Sequence, residues 1–239
     1  MFKSCWFIFI LTLTGGGVEE HLLNPTLITS IRTSLSEAKS KSTPGTVLIT
    51  VAELGKFFCN GFDFPWMKTV SSGSRINLLR HMVKLFKELV ADLISLPMPT
   101  IAVVTGHAAA AGMMLVLSHD YVVMRRDRGV LYMREVDLGI TLPDYFTALV
   151  RSKVANPDVR RDVLLRGVKV KGDEAVVKGL VDAVFDDGEM TVDGGVRLGE
   201  ELSKRKWDGE VYCEIRKTLY PELIAVLGLV TKSVVKARL

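Results

Sequence analysis

Two stretches, "GKFFCNGFDFPW" (55–66) and "TGHAAAAGMML" (105–115), hold the residue types best suited to chemistry in this chain. Each follows a strand-like run and leads into a helical pattern, the place where α/β folds bind ligands. In the first, Gly61 permits an unusual backbone angle, so the N–H of Phe62 can point outward instead of into a ladder. In the second, Ala111 stands at a helix start, where N–H groups lack partners and negative charge is favoured. Two such donors converging on one point make an oxyanion hole, able to hold a carbonyl oxygen as it gains charge. The alanine run has a packing reading too, since alanine is the best helix former. Other reactive types carry less. Cys59 has no evident base partner and reads as buried filler, while His107 and His119 flank the second stretch without a further ligand at metal spacing. No metal is expected; His21 and His81 give no signal, and "RRDR" (125–128) reads as a solvated turn.

The elements that must position these stretches follow from periodicity. Strand-like runs are "WFIFILTLT" at the start, "TVLITVAE" (46–53), "PTIAVVTG" (99–106), "YVVMRRD" (121–127) and "GVLYMRE" (129–135). Over 75–95, Leu79, Met82, Val83, Phe86, Leu89, Val90 and Leu93 recur at three- and four-residue spacing, which predicts a long amphipathic helix. Further helices are expected over 111–118, 144–153, 158–166, 172–180, 196–205 and from about 211, interrupted by Pro221. Strands alternating with helices up to residue 135, then mostly helix, indicate an α/β core with parallel pairing and a helical tail.

Composition narrows the classes. With 239 residues, 48% hydrophobic and 24% charged, the chain can bury a full core, and one domain is the prior. A net charge of +4, spread without aromatic interleaving, does not imply nucleic acid. Cys5, Cys59 and Cys213 are odd in number and far apart, against a disulfide framework. The opening "MFKSCWFIFILTLTGGG" resembles the front of a signal peptide, but it is too short to span a bilayer and reads better as a buried strand. The final Ala237, Arg238 and Leu239 form a variant of the S-K-L address read by the peroxisomal import receptor.

"FFCNGFDF", then "PTIAVVTGHAAAAGMMLVLSHDYVVM", "EVDLGITLP" and "KGDEAVVKGLVDAVF", in that order over residues 45–185, resemble the crotonase (enoyl-CoA hydratase/isomerase) superfamily. Within it the chain is most similar to the plant-type peroxisomal enoyl-CoA isomerases. The resemblance implies a crotonase-like β-β-α spiral core over 1–190 and a C-terminal helical trimerisation region over 191–239. It further implies a homotrimer or hexamer and an acyl-CoA thioester substrate, with CoA as part of that substrate and no separate cofactor. By position, the oxyanion hole would be the N–H groups of Phe62 and Ala111. Asn60, Gly61, Phe62, Asp63, Phe64, Ala111 and Met114 would lie around the substrate, with Asp63 supporting the loop.

The resemblance also speaks to the reaction. Hydratases of the superfamily use two glutamates; this chain has Met114 at the first position and Glu135 at the second. Methionine neither takes nor gives a proton, so addition of water loses a partner. One carboxylate suffices to move a proton along the acyl chain. The expected activity is therefore conversion of 3-enoyl-CoA to trans-2-enoyl-CoA in β-oxidation of unsaturated fatty acids, in the peroxisome, with Glu135 as base and acid. Asp144, after Pro143, is an alternative base or an ordinary helix N-cap. Other readings are a non-catalytic acyl-CoA binding or assembly subunit, and another crotonase-type activity such as hydration.

Overall fold

The computed structural model describes residues 8–14, 20–69 and 75–236. Its elements run β1 (Ile8–Leu13), α1 (Pro25–Ser40), β2 (Val47–Ala52), β3 (Phe57–Cys59), α2 (Phe64–Thr69), α3 (Arg75–Ile94), β4 (Thr100–Val104), β5 (His107–Ala109) and α4 (Ala111–Leu117). There follow β6 (Tyr121–Arg125), β7 (Val130–Tyr132), α5 (Glu135–Leu138), α6 (Asp144–Lys153), α7 (Pro157–Leu165), β8 (Val170–Lys171) and α8 (Gly172–Val177). The chain then forms β9 (Ala183–Phe185), α9 (Gly188–Ser203), α10 (Gly209–Leu219) and α11 (Pro221–Leu227).

Two sheets result. One is parallel with order β1-β2-β4-β6-β9, and the other has order β3-β5-β7-β8, parallel except for the antiparallel β7–β8 pair. Successive strands alternate between the sheets before a helix returns the chain, so β2-β3, β4-β5 and β6-β7 are three turns of a β-β-α spiral. β2 and β4 are almost wholly buried, as parallel strands covered on both faces must be, which is why they read as unbroken apolar runs. On α3, Met82, Phe86, Leu89, Val90 and Leu93 face the core as the spacing requires.

Several elements depart from the sequence reading. Helix α1 was not anticipated, although Asn24 caps it through Leu27 N–H, Pro25 opens it, and Ile28, Ile31, Leu35 and Ala38 form its buried face. Its serines and threonines are mediocre helix formers; packing on α3 sustains it, with Arg32 bonded to Glu88 and Asp92 at 2.5 and 2.6 Å. Helix α9 begins at Gly188, eight residues before the expected 196, and so runs across residue 190. Gly194 and Gly195 look like helix breakers, but they lie against Phe185 and Val103, where side chains would collide. The first strand is present from Ile8; Trp6 and the terminal Ala237–Leu239 lie outside the described residues. Among those residues no helix is long and apolar enough to cross a membrane.

The helical tail is riveted to the core by Arg216 of α10. Its guanidinium donates to both carboxylate oxygens of Asp120 at 2.7 and 2.6 Å and to the carbonyls of Ile94, Leu96 and Met98. Arg216 is only 4% exposed, so every donor must be matched inside the protein. Replacing it with leucine removes the guanidinium from the largely buried Asp120, which retains only the charge of Lys153 and hydrogen bonds from Thr100 and Tyr212, and strips three carbonyls of their donor. The expected cost is about 3–5 kcal/mol of unfolding free energy, read as a lower urea midpoint.

Candidate active site

The first site loop is held by a template. His21, Leu23 and Asn24 precede α1, and this segment binds the chain emerging from β3. Asn60 N–H donates to Glu20 C=O at 2.9 Å, and the His21 ring bonds Phe57 C=O at 3.0 Å. Leu23 N–H donates to Gly61 C=O at 2.8 Å, while Asp63 N–H donates to Leu23 C=O at 3.0 Å. Together these make a parallel bridge between Leu23 and Phe62. In such a bridge the residue opposite, here Phe62, turns its own N–H to the far side. Gly61 makes the turn possible with φ +82°, a left-handed value unfavourable for other residues.

The far side is the alanine run. A Cβ placed on Gly61 would lie 3.2 Å from Ala109 O and 3.5 Å from Ala111 N, so the two loops are in contact. Ala110 takes φ 52° and ψ −124°, a strained conformation for a residue with a Cβ, and its N–H donates to Tyr132 C=O. Ala111 then opens α4. Its N–H has no helical acceptor, and among the described residues neither Phe62 N–H nor Ala111 N–H donates to a protein group. The next residue explains the small side chains in part: a Cβ on Gly112 would come within 2.2 Å of Cys59 O. Close packing of α4 on β3 and access to the backbone thus share one cause.

Beside these loops opens a cavity of about 850 Å³, walled by Phe62, Phe64, Leu79, Val83, Ile140 and Phe146 and bordered by Asn60, Ala109 and Ala110. Glu135 and Asp144 both line it. Glu135 begins the single turn α5 three residues beyond β7, instead of ending a strand, and its Oε2 accepts from Arg134 N–H at 2.9 Å. Burial raises its pKa above the ordinary glutamate range, against the pull of that backbone bond. Asp144 is the first residue of α6 with Pro143 at the cap position, so it is no N-cap; its Oδ1 accepts from Tyr145 N–H at 2.7 Å. Its side chain is 63% exposed, and the ammonium of Lys87 stands 3.9 Å away. Tyr145 ties α6 to α3 by donating to Val83 C=O at 2.9 Å.

Of the residues expected near substrate, Asn60, Phe62 and Phe64 line the cavity. Met114 does not; it is fully buried within α4. Asp63 faces the other way, capping α2 through Trp66 N–H at 2.8 Å and accepting from Asn24 Nδ2 at 3.1 Å. Gly61 and Ala111 do not line the cavity either; they lie in the two loops that meet beside it. Sequence reasoning missed Arg80, Lys84 and Lys87, which border the cavity from α3. Their spacing beside Leu79 and Val83 on one helical flank was the available signal. Cys59 is buried, its thiol pushed up to about 12 by desolvation. His119 is likewise internal, bonded to Leu115 C=O and Thr50, with burial lowering it to about 4. In the 125–128 turn, Arg125 pairs with Asp127, and Arg126 with Asp186 and Asp173.

Residues 20–209 match the family described as enoyl-CoA hydratase/isomerase. The chain is 56% identical to the Arabidopsis thaliana protein named enoyl-CoA delta isomerase 2, peroxisomal, over 94% of this chain and 93% of that one. Identity to enoyl-CoA delta isomerase 1, peroxisomal, of the same organism is 47%, over 91% and 88% of the two chains. The crystal structure of enoyl-CoA hydratase EchA3 from Mycobacterium ulcerans superposes with a TM-score of 0.80 at 21% identity, covering 93% of this chain and 91% of that one. That likeness shows the fold.

Gly112→Ala puts its methyl group into the Cys59 carbonyl, so α4 must move outward from β3. The expected loss is about 1–3 kcal/mol in stability, seen as a lower thermal midpoint.

Proposed function

The chain belongs to the enoyl-CoA hydratase/isomerase family, and from that membership we propose that it is an enoyl-CoA delta isomerase converting 3-enoyl-CoA to trans-2-enoyl-CoA. The observation that carries this is the pair of unengaged amides, Phe62 N–H and Ala111 N–H, on touching loops beside a cavity that contains Glu135. The thioester oxygen sits between the two amides. Glu135 takes a proton from C2, electrons move onto that oxygen, and the enolate forms. The same carboxylic acid then delivers the proton to C4 as the double bond settles between C2 and C3. Atoms and electrons balance within one substrate, so no cofactor enters and CoA is carried by the substrate.

Physical chemistry favours Glu135 over Asp144 for this work. A base needs a pKa lifted toward the operating pH, and burial lifts that of Glu135. Asp144 is solvated and faces the Lys87 ammonium. The buried Met114 supports isomerisation over hydration, because the second proton-transfer group is missing where hydratases of this family carry a glutamate. Activity in fatty-acid β-oxidation follows from the substrate. A peroxisomal location follows the names of the two Arabidopsis relatives. Assembly as a homotrimer or hexamer through the C-terminal helices that follow α9 completes the proposal, the expected boundary at residue 190 being moved past that helix because it packs on the core sheet.

Mixing the protein with a 3-enoyl-CoA produces the ultraviolet absorbance of a conjugated 2-enoyl thioester. Glu135→Gln lowers that rate by about 10²-fold or more, the usual size of a lost acid–base group, and Asp144→Asn has the smaller effect. The reverse order reassigns the base, and no absorbance from wild type marks a non-catalytic acyl-CoA binder. Because the base works ionised, kcat/KM falls as pH drops through its raised pKa. The midpoint of that acid limb lies above the value of about 4.3 for an ordinary glutamate and vanishes from the residual activity of Glu135→Gln.

A further inference from the structure

Asn24 and Asp63 divide their oxygens and nitrogens in a way that links two helix starts to the loop between them. Asn24 Oδ1 accepts from Leu27 N–H at 2.9 Å and caps α1, while its Nδ2 donates to Asp63 Oδ2 at 3.1 Å. Asp63 Oδ1 accepts from Trp66 N–H at 2.8 Å in the first turn of α2. Between these two side chains lie the bonds from Leu23 N–H to Gly61 C=O and from Asp63 N–H to Leu23 C=O, which aim Phe62 N–H away from Leu23. Neither side chain lines the cavity.

We infer that the Asn24–Asp63 hydrogen bond is a positioning device for the reaction, locking the Leu23–Phe62 bridge so that Phe62 N–H holds its place opposite Ala111 N–H. The inference rests on reading those two amides as the oxyanion hole. Without the side-chain bond, the segment beyond Gly61 is held to Leu23 by one pair of backbone bonds, the contacts of Asn60 with Glu20 and of Phe57 with His21 lying before that turn. The turn at Gly61 then has freedom to rotate the Phe62 amide. A donor displaced by a fraction of an ångström still binds a neutral thioester but loses hold of the enolate, so the device acts on the transition state more than on substrate binding.

Polarity supplies the test. In Asp63→Asn, Oδ1 still caps Trp66, but two NH2 groups now confront each other. In Asn24→Asp, Oδ1 still caps Leu27, but two carboxylates do. The double variant Asn24→Asp with Asp63→Asn retains both caps and restores the bond in the opposite direction, from the new amide at position 63 to the new carboxylate at position 24. The single variants should lower kcat about 10- to 100-fold with KM little changed, and weaken the enolate absorbance of a bound 3-ketoacyl-CoA. The reversed pair should recover most of both. Single variants with wild-type kcat, or a folded double variant as slow as the singles, overturn the inference. If the singles do not fold, the double variant alone decides: wild-type turnover supports the device and slow turnover refutes it. A wild type with no isomerase turnover instead overturns the functional reading, and the enolate band across the four proteins still judges the pair.

Discussion

The arrangement depends on one backbone constraint: the parallel bridge of Leu23 with Phe62. By taking the carbonyl of Gly61 and the amide of Asp63, Leu23 leaves the amide of Phe62 facing the other loop. A donor that is part of a ladder cannot also serve a ligand, so a binding amide has to be one that the fold leaves over. The same logic operates at Ala111, whose position at the start of α4 removes its helical acceptor. Strain at Ala110 is confined to the junction between these demands, where the chain turns from strand β5 into helix.

Around that constraint the fold is stiff where the amides are anchored. β3 and α4 meet at Cys59 and Gly112 without room for a methyl group, and α1 is joined to the loop through Asn24. Interior packing of this density transmits small displacements, which is why amides contributed by loops can keep fixed positions. The cavity's other wall comes from α3, α5 and α6, with Tyr145 holding α6 to Val83 of α3. One side of the cavity is therefore bordered by two closely packed loops with unengaged amides, and the other is a largely apolar wall with carboxylates at its edge.

Electrostatics divides the two carboxylates by environment. Glu135, partly withdrawn from water, binds its proton more tightly than a solvated glutamate, whereas exposed Asp144 shares its surroundings with Lys87. The position held by Met114 is sealed into the core. On the proposed reading, one perturbed carboxylate with no buried partner suits moving a proton between two carbons of one substrate better than adding water across its double bond.

Much of this was legible in the chain itself. The apolar runs of β2 and β4, the amphipathic face of α3, and Gly61 with the alanine run each reflect local backbone and burial preferences that neighbouring residues already encode. That Met114 stands where hydratases of the superfamily carry a glutamate was readable without coordinates too, but only through the resemblance to that superfamily. Other features were decided by tertiary contact alone. Helix α1 exists because a serine- and threonine-rich segment finds α3 to pack on, and the glycines of α9 serve close approach to Phe185 and Val103 instead of ending the helix. The three-residue strands β3 and β5 carry too few side chains for a period to show. The direction of the Phe62 amide, the burial that lifts Glu135 and the outward face of Asp63 depend on segments that are distant in sequence, and hydrogen-bond direction and desolvation have no meaning until those segments meet.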